Sequence, residues 1–226
     1  MQIDVITLFP KMFESPFEES IIARAVRNKK VKLRFHNLRD WALDSYGTVD
    51  DKPFGGGEGM VLRVEPIDKA VTAIKKKYWK KVKNGRVIAL TAKGKNYKQE
   101  IAENLAKFDG LILICGHYEG FDQRILDHLV DEIISVGDFV MTGGEIGAMA
   151  VIDSVVRLLP GVLGKDASST NDSFSESLNR KIQYGRYTRP QDHKGWTVPE
   201  ELISGNPKKI KAWQEKELEE SGSDEN

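Results

Sequence analysis

One short apolar run constrains the fold of this chain more than any other feature. Residues 111–115 are Leu, Ile, Leu, Ile and Cys, with no polar residue among them, and Gly110 and Gly116 bound the run. Unbroken apolar runs of this length are typical of a strand that is buried on both faces of a parallel sheet. We therefore predict an α/β fold with this strand near its centre.

Two glycine-containing loops follow apolar stretches in this part of the chain. Residues 116–120 (GHYEG) follow the central run, and residues 142–145 (TGGE) follow a second apolar stretch. In open α/β sheets the ligand crevice lies at the carboxyl ends of the strands. The two loops therefore predict a site for a small ligand that contacts both of them.

Other segments show the alternation of strands and helices that an α/β fold needs. Apolar positions with strand or helix spacing predict strands at 3–8, 31–35 and 87–90, and helices near 21–26, 66–78, 97–108, 125–129, 149–159 and 207–218. Asn96 is the predicted cap of the helix that follows it. Pro160 is expected to end the helix before it.

Composition excludes several classes of protein. The 226 residues contain 34 basic and 34 acidic side chains, so any contact with nucleic acid must come from local patches. The single cysteine, Cys115, lies in the apolar run, which excludes a disulfide framework and indicates a core residue. The first residues read as a strand rather than a signal peptide, and no apolar run is long enough for a membrane span. We expect a cytoplasmic protein with no membrane partner.

Residues 75–83 contain six lysines and two aromatic residues. Such a segment could grip RNA phosphates and stack a base. The same composition is typical of the solvated end of a helix, so both interpretations stay open.

Residues 53–60 contain four glycines within five positions. A backbone of this kind needs positive φ angles or the close approach of a partner. Pro53 and Phe54, which flank the glycines, favour a loop that is held in place over a mobile hairpin tip.

The chain changes character after residue 165. Residues 166–180 are rich in Ser, Asn and Asp and lack periodicity, which predicts a flexible linker between an α/β domain (1–165) and a small helical domain (181–226). The acidic residues 217–226 predict a disordered tail.

Several familiar motifs are missing or incomplete. Residues 161–166 (GVLGKD) have two residues between the glycines instead of four and Asp166 where a phosphate loop needs Ser or Thr. No GxGxxG follows a predicted strand, no GxSxG is present, and the four histidines have no spacing that suggests a metal site. The residue patterns alone therefore give no reaction.

A set of motifs over roughly residues 1–215 does indicate a reaction. They are residues 6–10 (ITLFP), 48–60 (TVDDKPFGGGEGM), 115–120 (CGHYEG), 135–145 (SVGDFVMTGGE), 160–164 (PGVLG), 172–174 (DSF), 187–190 (YTRP), 197–199 (TVP) and 204–205 (SG). In this order the motifs resemble the bacterial tRNA (guanine-N1)-methyltransferases of the SPOUT superfamily. Lys52, Phe54, Ala92 and Gln214 differ from the residues usual in that family.

The resemblance implies a fold and an activity. The fold would be a parallel α/β domain with a deep trefoil knot, an exception to the rule that chains avoid threading, plus a small helical domain that binds tRNA. The protein would be a homodimer, in which each active site combines the knot of one subunit with the linker and C-terminal domain of the other. With S-adenosylmethionine as cofactor, it would methylate N1 of the guanosine immediately 3′ of the anticodon (position 37) in tRNA and release S-adenosylhomocysteine. A requirement for Mg²⁺ is left open.

The resemblance also assigns roles to individual residues. Asp172 takes the place of the general base, and Arg157 that of the arginine which positions substrate phosphate or offsets negative charge on guanine O6. Without the resemblance, Arg157 would need no role beyond favouring the helix dipole. The implied cofactor-binding residues are Leu90, Thr91, Gly116, Tyr118, Glu119, Val136, Gly137, Phe139, Met141, Gly143 and Gly144. The implied substrate-binding residues are Asp50, Gly57, Gly59, Met60 and Arg189.

Two alternatives stay open on the sequence. One is a non-catalytic RNA-binding dimer of the same fold, and the other is a related enzyme that methylates the ribose 2′-oxygen. A titration with the cofactor separates the first from the main hypothesis, and identification of the methylated nucleoside separates the second.

Overall fold

The structure, a computed structural model, describes residues 1–163 and 172–220, with side chains as far as residue 218. The chain divides into two compact units, residues 1–163 and 164–226. Residues 166–171 of the predicted linker and 221–226 of the predicted tail lie outside the described residues.

The first unit alternates strands and helices. Its strands are β1 Gln2–Thr7, β2 Lys32–Asn37, β3 Asp50–Asp51, β4 Val61–Leu62, β5 Gly85–Asn96, β6 Gly110–Cys115 and β7 Glu132–Ser135. Its α-helices are α1 Glu14–Phe17, α2 Ser20–Arg27, α3 Val64–Tyr78, α4 Gln99–Leu105, α5 Gln123–His128 and α6 Glu145–Val156. Short 3-10 helices occupy Pro10–Phe13 and Leu38–Trp41.

Five strands form one parallel sheet in the order β2-β1-β6-β5-β7. All six residues of β6 are buried. Leu111 and Leu113 pack into the core that α2, α4 and α6 cover, whereas Ile112 and Ile114 pack under α3 and α5. The predicted parallel α/β fold with a central strand buried on both faces is therefore confirmed. The trefoil knot stays a prediction.

The helix α3 shows why periodicity predicted its position correctly. Ile67, Ala70, Val71 and Ile74 follow the spacing of one helical face, and all four are buried against the sheet. The burial of this apolar face, rather than a side-chain cap, stabilises the helix, because residue 63 makes no capping hydrogen bond through its side chain.

The predicted cap at Asn96 is wrong. Asn96 is the last residue of β5, and α4 begins at Gln99 after Lys98, whose side chain makes no capping bond. The strand is longer than its apolar run because an irregularity between Leu90 and Lys95 lets pairing with β7 resume at Lys95 and Asn96. Pairing with a neighbouring strand leaves no signal in local sequence.

The second unit is small and only partly helical. It contains a 3-10 helix at Glu176–Leu178, the strands β8 Asp192–His193 and β9 Trp196–Thr197, and the helices α7 Glu200–Ile203 and α8 Pro207–Glu220. The ring of Trp213 lies 6.1 Å from that of Tyr184 and 6.2 Å from that of Tyr187, centroid to centroid. Residues 217–220, predicted as part of the tail, belong to α8, because Glu and Leu are good helix formers.

The described end of the predicted linker is held by local hydrogen bonds. The backbone N–H groups of Leu178 and Arg180 both donate to the carbonyl of Ser175, which is buried. A compact turn of this kind has no hydrophobic period, so a search for periodicity does not detect it.

In the part of the chain that the structure describes, no helix is long and apolar enough to cross a membrane.

Candidate active site

A cavity lies where the central strands of the sheet end. Its walls come from Leu90 and the residues after it in β5, from the loop that follows β6, and from residues 134–144 at the end of β7. All eleven residues that the resemblance assigned to the cofactor line this cavity: Leu90, Thr91, Gly116, Tyr118, Glu119, Val136, Gly137, Phe139, Met141, Gly143 and Gly144. The structure therefore brings together residues that lie up to 54 positions apart in sequence, from Leu90 to Gly144 (144 − 90 = 54). That they bind a cofactor stays a prediction.

Main-chain atoms join the two glycine loops. The N–H of Gly144 donates to the carbonyl of Gly116 over 2.9 Å. A Cβ atom on Gly144 would lie 2.8 Å from the nitrogen of Gly116 and 2.9 Å from the Cα of Cys115. Backbone atoms cannot move away as a side chain can, so only glycine fits here. The cavity wall is consequently backbone, against which a flat or polar ligand can pack closely.

This close approach makes Gly144→Ala a test of the cavity. We expect the added methyl group to push the two loops apart, to lower the free energy of unfolding by about 1–3 kcal/mol and to weaken binding of the predicted cofactor at least about tenfold. Thermal unfolding and a calorimetric titration with S-adenosylmethionine measure both effects. The matched control is Gly185→Ala, since a Cβ there would lie 3.7 Å from its nearest neighbour, Tyr187. Equal affinity in the two variants would contradict the role of Gly144.

A buried carboxylate connects both loops to β1. Glu145, the first residue of α6, is 1% exposed. Its carboxylate accepts a hydrogen bond from the Thr7 hydroxyl over 2.6 Å and lies 2.7 Å from Nε2 of His117. Thr7 Oγ1 also accepts from the N–H of Phe9, which extends the network to the residues after β1. The position at a helix N-terminus further favours the negative charge.

Sequence reasoning did not identify this network. His117 and Glu145 lie in the two loops that were singled out, but Thr7 belongs to a strand 138 positions from Glu145. His117 also lines the cavity. In the sequence, the spacing of the histidines had indicated only that they do not form a metal site. The only signal in the sequence was that each glycine loop contains a polar residue. That signal did not indicate that the two side chains contact each other.

Cys115 precedes the first loop and is a core residue, as predicted. Burial, with the nearby Glu145 carboxylate adding to it, raises the pKa of the Cys115 thiol well above its ordinary value. The thiol therefore stays protonated, and it is not a nucleophile for this site.

The glycine-rich loop is attached to the cavity at one end. The N–H of Glu119 donates to the carbonyl of Met60 over 3.0 Å. Gly59 has a φ of 83°, and a Cβ there would lie 2.6 Å from Cγ of Glu119, so the loop end and the cavity wall are in close contact. Phe54 is fully exposed, and the prediction that it helps to hold the loop is wrong, because no described part of the protein covers its ring.

The remaining predicted substrate residues lie around this loop or in the second unit. Asp50 is half-buried in β3 and pairs with Leu62 of β4. Gly57 is an exposed residue of the loop. Arg189 is exposed in the second unit.

The two predicted catalytic residues do not line the cavity. Arg157 follows the last residue of α6, and the twelve residues of that helix span about 18 Å from Glu145. Asp172 is half-buried in the second unit, where its carbonyl accepts from the N–H of Ser175 over 3.1 Å. The cavity of the first unit thus holds the predicted cofactor residues but neither predicted catalytic side chain.

Fold and cavity together define a class: a parallel α/β protein with a cavity for a small ligand at the carboxyl ends of its strands, between loops joined through their main chains. Comparison with known proteins gives the family. The family model described as tRNA (Guanine-1)-methyltransferase TrmD matches residues 1–224. The chain belongs to this family of enzymes, which confirms the resemblance seen in the motifs.

Individual relatives agree with this assignment. A tRNA (guanine-N(1)-)-methyltransferase of Dehalococcoides mccartyi is 51% identical over 217 residues, which are 96% of this chain and 85% of the relative. The enzyme of that name from Bacillus subtilis is 49% identical over the same share of this chain and 87% of its own. The crystal structure of tRNA (m1G37) methyltransferase from Aquifex aeolicus is 36% identical, with a TM-score of 0.78, and the match covers 97% of this chain and 92% of that one.

Proposed function

We propose that this protein methylates N1 of the guanosine immediately 3′ of the anticodon in tRNA, with S-adenosylmethionine as methyl donor. Membership of the family supports the reaction. The observation that carries the proposal for this chain is the cavity, which gathers all eleven residues assigned to the cofactor. S-adenosylmethionine supplies an activated methyl group, and S-adenosylhomocysteine is its product.

The cavity walls suit such a cofactor. Gly116, Gly137 and Gly144 contribute main-chain surface to the wall, because they have no side chains of their own. Leu90, Phe139 and Met141 provide apolar surface beside them. A cavity of apolar walls with a few convergent polar groups is typical of a cofactor site. We assign the adenine and ribose to these backbone groups, and Tyr118 and Glu119 to the edge of the same site.

The reaction needs a base and a positive charge. Guanine N1 carries a proton at neutral pH, so this proton must leave as the methyl group arrives. We assign its removal to the Asp172 carboxylate, and the stabilisation of negative charge on guanine O6 or the placement of substrate phosphate to Arg157. The loop at residues 57–60, together with Asp50 and Arg189, would hold the extruded guanosine and its neighbours.

We further propose a homodimer in which each cavity is completed by the partner subunit. Arg157 supports this, because it follows the last residue of α6, at the far end of that helix from the cavity, although we assign it a role in the reaction. Asp172 belongs to the second unit, which we propose as the tRNA-binding domain. A cytoplasmic location fits this substrate.

One experiment tests the proposed function. Purified protein is incubated with labelled S-adenosylmethionine and two tRNA transcripts that differ only in guanosine or adenosine 3′ of the anticodon. We expect 1-methylguanosine in the first transcript and no label in the second. Tight tRNA binding without incorporation would instead identify a non-catalytic RNA-binding protein, and a 2′-O-methylated nucleoside would identify a ribose methyltransferase.

A further inference from the structure

A second cavity lies at the end of the sheet opposite the first cavity, where β1 and β2 begin. It has a volume of about 910 Å³. Six cationic side chains from two separate segments, residues 29–34 and 77–81, line it: Lys29, Lys32, Arg34, Lys77, Lys80 and Lys81. None of its lining residues carries a carboxylate. We call this surface the basic groove.

The groove concentrates charge that the chain as a whole does not have. The net charge is zero, so the overall field does not attract a polyanion. All five lysines of the groove are exposed. Among the described residues, none of the five forms an ion pair with a carboxylate. Their mutual repulsion is relieved when an anionic partner binds.

The floor of the groove is fixed by a buried carboxylate. Asp4 is fully buried, and its oxygens accept hydrogen bonds from Arg34 over 3.1 Å and from the indole N–H of Trp79 over 3.2 Å. Nε2 of His36 lies 2.8 Å from the same carboxylate. The guanidinium carbon of Arg34 in turn lies 4.3 Å from the ring centroid of Tyr78. These contacts anchor the end of α3 to β1 and β2.

This anchoring argues against the base stacking in the first interpretation of the lysine-rich segment, but not against phosphate binding. Tyr78 and Trp79 are half-buried and occupied by Arg34 and Asp4, so they do not serve as platforms for stacking bases. The lysines around them are displayed on a rigid support. Ammonium groups that contact neither base edges nor base faces bind phosphate. Such contacts do not distinguish one nucleotide sequence from another.

We infer that the basic groove binds the phosphate backbone of the substrate RNA, at a distance from the base that is modified. The inference rests on the proposed function, which supplies an RNA as substrate. The six residues of β1 span about 20 Å between the groove and the carboxyl edge that holds the cavity. The phosphates in the groove are therefore not those of the target nucleotide.

The test is the salt dependence of tRNA binding. The triple variant Lys77→Gln, Lys80→Gln and Lys81→Gln is compared with wild type by fluorescence anisotropy, using a full-length tRNA transcript at a series of KCl concentrations. We expect the affinity at low salt to fall about tenfold or more, and the slope of log affinity against log salt to become shallower by about three. The matched control replaces Lys69, Lys98 and Lys107, three exposed lysines of the same unit outside the groove, with Gln, and should keep the wild-type slope.

A second variant changes the two lysines in the other segment that lines the groove. Lys29→Gln with Lys32→Gln should make the slope shallower by about two, at an unchanged melting temperature. Equal slopes for the groove variants and the control would overturn the inference and leave an acidic protein as the partner to test. Failure of the wild type to methylate any transcript would refute the proposed function instead, whereas the slopes would still decide whether the groove binds RNA.

Discussion

Replacing Asp172 with Asn should lower the rate of methyl transfer by at least about 100-fold while cofactor affinity stays within about twofold of wild type. A positioned general base contributes about 10²–10⁴ in rate, and the amide of Asn cannot accept the proton of guanine N1. Cofactor binding should be unaffected, because the proposed role of Asp172 is to accept the guanine proton, and Asp172 does not line the cofactor cavity of its own subunit. Single-turnover kinetics with saturating tRNA and a separate cofactor titration measure the two quantities.

The matched control for this experiment is Glu176→Gln. Glu176 lies four residues further on, is exposed, and loses the same charge on substitution. We expect this variant to retain wild-type kinetics. A similar loss in both variants would show that the charge of the segment matters rather than a base at residue 172, and full activity of Asp172→Asn would remove this residue from the mechanism.

Replacing Glu145 with Ala should have the largest effect on stability. The substitution leaves the Thr7 hydroxyl and the His117 ring without their buried partner and opens a cavity beside them. Losing one member of a buried polar network costs about 2–4 kcal/mol. Because the network ties both glycine loops to β1, cofactor affinity should fall as well, by about tenfold or more. Urea unfolding and calorimetry measure the two losses.

Two further variants separate the network from a general effect of charge. Glu145→Gln keeps an oxygen that can accept from Thr7, so it should be less destabilised than the Ala variant. Glu14→Ala removes an exposed carboxylate from the same unit and should stay within about 0.5 kcal/mol of wild type. If Glu145→Ala were as stable as Glu14→Ala, the network would not hold the loops together.

Local sequence patterns correctly predicted the strands and helices that are stabilised by burial of their apolar residues. The apolar run at 111–115 became the central strand, and the face of α3 was buried as its spacing indicated. The same reasoning failed at Asn96 and Phe54. At Asn96 pairing with β7 extended the strand, and at Phe54 no neighbouring element covers the ring.

The candidate site was predictable where the motifs of a known family could be matched. The eleven predicted cofactor residues came from that resemblance, and the structure places all of them around one cavity. Neither the motifs nor the periodicity indicated that Thr7, His117 and Glu145 would share hydrogen bonds. Such contacts join distant segments, and nothing in the neighbouring sequence of one partner depends on the other.

By itself, the sequence of this protein determined its class of fold, the position of its central strand, the two loops that bound the ligand cavity and, through its motifs, its family. Burial and backbone conformation explain this, since both are dictated largely by the order of apolar residues and glycines. Only the tertiary structure decided that a buried Glu145 joins both loops to β1, and that Asp4 fixes the aromatic residues of the lysine-rich segment and leaves its lysines exposed. Those outcomes depend on which polar groups meet after the sheet has formed, and a buried charge is stable only where the fold supplies its partners.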